Sequence, residues 1–103
     1  MIYINFKCAP KWDSTNNMQY GGAYINCWIN VDKHPEAESF ARKIIDEEGW
    51  IVEGVEESYP ITLEDYSDNH SPEGMQSIKD AIKNGSSFTF HTFPNSEMSG
   101  GVA

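Results

Sequence analysis

The chain is poor in the features that would assign it quickly. Its two cysteines, Cys8 and Cys27, are too few for a disulfide framework, and they form no C-x-x-C pair for redox or metal chemistry. Both fall at inward positions of strand-like runs, where a thiol acts as a small hydrophobe. No apolar run approaches the ~20 residues that a membrane span needs. The start, MIYINFKCAP, has neither a basic segment nor a long apolar core, so no secretory signal is expected and the reducing cytoplasm is the expected compartment. Basic residues are scarce as well. Seven Lys and Arg against 16 Asp and Glu give a net charge of −9. Phosphate recognition needs a basic stripe, so neither nucleic acid nor an anionic membrane is an expected partner. There is no G-x-S-x-G elbow and no phosphate loop, and no catalytic residue, metal ligand or cofactor is assigned.

Apolar residues make up 39% of the 103 positions, enough for one core in one domain. We assign that domain to residues 1–94 and read 95–103, with Ser99-Gly100-Gly101, as a flexible tail. Alternation marks the strands. Ile2, Ile4, Phe6 and Cys8 share one face, with Tyr3, Asn5 and Lys7 on the other. After a polar loop over 9–22, Ala23, Ile25, Cys27, Ile29 and Val31 alternate with Tyr24, Asn26, Trp28 and Asn30. A third strand spans Trp50 to Tyr59, its period slipping at Gly54 as a β-bulge would make it. A fourth spans Ser87 to Phe93, with Phe88 and Phe90 opposite in parity to Thr89, His91 and Phe93.

Between strands two and three, Pro35 suits a first helical turn, and Ala37, Phe40, Ala41, Ile44 and Ile45 form an apolar stripe ending at Gly49. Thr62-Leu63-Glu64-Asp65 suggests one helical turn. Ser71-Pro72 opens a second long helix with Met75, Ile78, Ala81 and Ile82 inward and Gly85 as its stop. The expected fold is α+β: a two-layer sandwich, ferredoxin-like, in the order β-β-α-β-α-β. Two helices cover one face of a four-stranded mixed sheet. The crossover rule makes strands two and three parallel, and the first strand can fill the gap between them.

The face left uncovered would then carry Tyr3, Tyr24, Asn26, Trp28, Asn30, His91 and Phe93, with Lys7 its only charge on these strands. An aromatic, charge-poor patch of that kind marks an interface or a binding site. The expected function is a non-catalytic interaction module that self-associates through this face, most simply as a homodimer. The alternative is a small-molecule site or a small enzyme built around His91, with Glu53 or Glu57 as a carboxylate partner. An RNA-binding sheet also displays aromatics, but this one lacks basic flanks. The acidic run 64–70 fails the calcium-loop pattern and reads as a solvated connector.

The run YINCWINVDKHPEAESFARKIIDEEGWIVEGVEE, with EDY at 64–66 and FTFHTFP at 88–94, resembles small free-standing bacterial α+β proteins of unknown function, some of them carried on mobile integron gene cassettes. The resemblance spans about Ala23 to Pro94. It implies a ferredoxin-like fold and oligomerisation, and it carries over no reaction and no catalytic residue.

Overall fold

A computed structural model describes residues 1–13, 20–62 and 72–94. The suggested turn after Thr62, the acidic connector and the tail therefore lie outside the described residues. Within them the elements are β1 (Ile2–Pro10), β2 (Gly22–Ile29), α1 (His34–Glu47), β3 (Trp50–Pro60), α2 (Pro72–Asn84) and β4 (Ser86–Phe93). The fold is α+β, with one four-stranded sheet and two helices.

The sheet order is β3-β1-β2-β4, and every neighbouring pair is antiparallel. The expectation of a mixed sheet is thereby corrected. Strands β2 and β3 do run in the same direction, but β1 lies between them and pairs antiparallel with both. The ββ hairpin thus occupies the centre of the sheet and contributes most of its buried apolar side chains.

The layering is also corrected. The helices were expected on one face and lie on opposite faces. Ala37, Ala41 and Ile45 of α1 pack with Ile2, Ile4, Phe6, Cys8, Ala23, Ile25, Cys27 and Ile29 in one core. Ile78 and Ala81 of α2 pack with Tyr3, Trp28 and Ile61 in a second. Side chains alternate across a strand, so Tyr3 and Trp28 stand on the face opposite Ile4 and Cys27. The sheet is therefore sandwiched by one helix on each side, and each helix buries a narrow stripe. Phe40 of α1 and Ile82 of α2, both expected inside, are 43% and 54% exposed.

Local chemistry sets the element ends. Gly49 and Gly85 close the two helices at φ 90° and 93°, a region that L side chains avoid. Along β3 the register skips twice, leaving Glu56 unpaired between Asn5 and Phe6 and Glu53 unpaired between Lys7 and Cys8. The slip expected at Gly54 is thus two bulges flanking it. The bulge at Glu53 keeps Val52 and Val55 on the α1 face despite their unequal spacing.

Candidate functional site

Pairing register places the sheet residues opposite α1 in rows running across the strands. The first row is Tyr59, Tyr3, Trp28 and Ser87. Tyr3 sits 5.3 Å from the Trp28 ring and 5.2 Å from the Tyr59 ring, centroid to centroid. Under α2, Tyr3 and Trp28 are only 8% and 5% exposed. These two residues of the expected open face are core. Their aromatic character serves intramolecular packing, and the free face is smaller than parity alone suggested.

The second row is Glu57, Asn5, Asn26 and Thr89. The half-buried Asn26 Oδ1 accepts from the Tyr3 hydroxyl at 2.8 Å and from Asn5 Nδ2. Its carbonyl is thus satisfied by its neighbours, and the row ties the aromatic core to the open part of the face. The third row is Gly54, Lys7, Tyr24 and His91. Lys7 and His91 are exposed and Tyr24 is 40% exposed. Beyond it lies the Phe93 ring, 5.7 Å from that of Tyr24 and tilted against it. Gly22 makes this possible. A Cβ there would stand 2.5 Å from the Phe93 ring and 2.8 Å from the Cys8 carbonyl oxygen. The candidate site is therefore Lys7, Tyr24, His91 and Phe93, floored by Asn26.

Asn30 does not belong to it. It follows β2 and donates its backbone N–H to the Gly85 carbonyl at 2.9 Å. It lines a groove of about 350 Å³ with Val31, Glu36, Phe40 and Asn84, where the start of α1 meets the end of α2. The carboxylates considered as partners for His91 are also misplaced. Glu53 and Glu57 lie on β3, at the far edge from β4, and three strand spacings of ~4.8 Å give roughly 14 Å. Proton exchange between them and His91 is excluded at that distance.

A histidine contact not foreseen from the sequence lies at the start of α1. His34 Nε2 and Ser58 Oγ are hydrogen-bonded, joining the helix to β3. Pro35 beside His34 signals the helix start, but nothing in the pattern couples it to Ser58, 24 positions away. The pair is exposed and acts as a clasp.

Cys8 and Cys27 are fully buried and free. Register sets Cys8 opposite Ala23 and Cys27 opposite Ile4, four residues apart along the sheet. That is roughly 13 Å of strand, beyond disulfide reach, so they are not the hairpin neighbours that shared parity allowed. Burial, then the nearby Glu53 carboxylate, pushes the Cys8 thiol up to about 12. Burial, then Cys8, pushes Cys27 up as well. Neither is a nucleophile at neutral pH. Among the described residues no three His, Cys, Asp or Glu side chains gather as a metal site, and no helix is long and apolar enough to cross a membrane. Compared with protein-family models, curated proteins and solved structures, the chain matches none.

Proposed function

We propose that this protein is a small non-catalytic binding module that self-associates through its sheet face, the contact being the half that α2 leaves open. One observation carries this reading. Tyr24 stands half-exposed against Phe93 and beside the exposed His91, on paired strands of one sheet. Aromatic side chains on a rigid support provide contact area at little entropic cost, and interface cores are rich in them. Lys7 is the only charge that β1, β2 and β4 bring to this face, in a chain of net charge −9. Two copies thus meet with least repulsion there. A reducing, cytoplasmic setting belongs to the same reading, which leaves both thiols unpaired.

The test is sedimentation over the micromolar range. The wild type is expected to shift from monomer to dimer, and Tyr24→Glu to remain monomeric. Trp28, under α2, is the wrong residue to mutate for this purpose. A Tyr24→Glu protein that dimerises like the wild type removes the face from the contact.

The second reading is a small-molecule site on the same residues, favoured by the tilted Tyr24–Phe93 pair next to an imidazole. Stacking rings hold planar or cationic ligands. Ligand-induced shifts of the Tyr24 and Phe93 ring signals that vanish in His91→Ala, with assembly intact, would select it.

A further inference from the structure

The two edges of the sheet are built in opposite ways. Strand β3 is guarded. Its two bulges interrupt the ladder, the extra residue at each is a glutamate, Glu53 and Glu56, and Glu57 and Pro60 follow. Bulges, charges and proline are the devices that keep an edge from pairing with another chain. Strand β4 has none of them. From Ser86 to Phe93 it reads SSFTFHTF, with no Asp, Glu, Lys, Arg or Pro, and it pairs with β2 over its whole length without a register shift. Phe90, His91 and Thr92 are exposed in succession, so both faces of the strand reach solvent there. Phe90 is 38% exposed.

We infer that β4 is the docking edge for a second copy of this chain, the two β4 strands pairing antiparallel so that two four-stranded sheets become one of eight. The inference rests on the self-association reading and specifies a backbone contact for it, distinct from the side-chain contact of the face. Charge identifies the occupant. A foreign basic segment would be drawn to carboxylates, and those lie on the β3 edge, not on β4. A foreign acidic segment meets no cation on β4 and a protein of net charge −9. A neutral strand of phenylalanine, threonine and serine complements itself, and two highly acidic molecules approach most easily along a strip where neither carries charge. Eight paired residues extend about 27 Å at ~3.4 Å each. A contact this narrow falls below the ~1,200 Å² of stable interfaces, so the association is weak and readily reversible.

Hydrogen exchange read amide by amide on the wild-type protein tests this directly. In the monomer, β4 is an edge strand, and its amides that point away from β2 are expected to exchange fast. Raising the concentration from about 1 µM to several hundred micromolar is expected to slow them at least tenfold, with the outward amides of β3 unchanged. Thr92→Lys, at an exposed position, is expected to weaken association at least tenfold although it lowers the net negative charge. Outward β4 amides that exchange equally fast at both concentrations overturn the inference. So does a Thr92→Lys protein that associates as tightly as the wild type. The face reading fails separately. Concentration-dependent β4 protection that persists in Tyr24→Glu leaves the edge as the contact. Loss of dimer in Tyr24→Glu, with β4 amides fast throughout in the wild type, leaves the face as the contact. A strand supplied by an unrelated peptide would protect β4 only when that peptide is added, and this too overturns a second copy as occupant.

Discussion

At the residue scale, the positions with the least room are those whose substitution reads most clearly. Gly22 has backbone on one side, the Cys8 carbonyl, and the Phe93 ring on the other. The ring can swing away but the carbonyl is held in the β1–β2 ladder. Gly22→Ala is therefore expected to cost about 1–3 kcal/mol, as overpacking of a tight site does, and to separate the Phe93 ring from Tyr24. Urea unfolding gives the first quantity and ring-proton shifts the second. An alanine variant with wild-type stability and unshifted rings would mean that the strands part freely here. The buried thiols yield a pH prediction. The folded Cys8 thiol titrates near 12 against an ordinary value of 9.0, so folding favours the protonated form. Its contribution is complete below pH 9 and is lost as pH rises from about 9 towards 12. Stability should fall over that window, and Cys8→Ala should flatten the fall. Native thiols should label slowly at pH 8 and completely on unfolding; fast native labelling would contradict their burial. Inward parity alone made this burial legible in the sequence. The spacing between the two thiols was not legible, because parity assigns a face and leaves the pairing register open.

At the element scale, the strands and helix stops were readable because each has a local cause: alternation in β1 and β2, glycines at φ 90° and 93° after the two helices. The side of the sheet that α2 occupies was not readable. The stripe of Ile78 and Ala81 has a partner on either face, and the β3–α2–β4 connection links two antiparallel edges, where the crossover rule is silent. Tyr3 and Trp28 looked exposed because they alternate with Ile4 and Cys27, yet a second layer buries them just as well. Ile78→Ala tests this packing. Removing a fully buried isoleucine should cost about 2–5 kcal/mol. With Trp12 and Trp50 replaced by phenylalanine, the cavity should also shift Trp28 emission to the red and open it to acrylamide. An α2 packed on the α1 face would leave Trp28 emission unchanged, and that result would sink the two-sided arrangement.

For the molecule as a whole, charge is the dominant unspent term. The chain carries 16 carboxylate side chains against seven Lys and Arg, so at least nine carboxylates have no Lys or Arg of their own to pair with; the ion pairs among the described residues include Lys11–Asp46 at 2.8 Å and Arg42–Glu38 at 2.9 Å. Both are at the surface, where such a pair contributes about 0–1 kcal/mol. Most carboxylates therefore act on stability through mutual repulsion, which is stronger in the compact state than in an extended chain. Salt should relieve it. At 0.01 M the screening length is about 30 Å and at 0.15 M about 8 Å. The first is comparable to the molecule's 45 × 27 × 20 Å extents, so nearly all charges feel one another, and the second leaves only near neighbours coupled. Raising sodium chloride from 0.01 to 0.15 M is expected to raise the melting temperature by several degrees, such surface ion pairs losing less than the repulsion returns. Self-association has the same sign, since each copy carries −9. Dimerisation should tighten severalfold over the same range, the reverse of an interface held by opposite charges. A melting temperature that falls with salt would mean that specific ion pairs outweigh the net charge. A dimer that weakens with salt would mean that the copies meet through complementary charges, and neither the charge-free β4 edge nor the Tyr24 face could then be the contact.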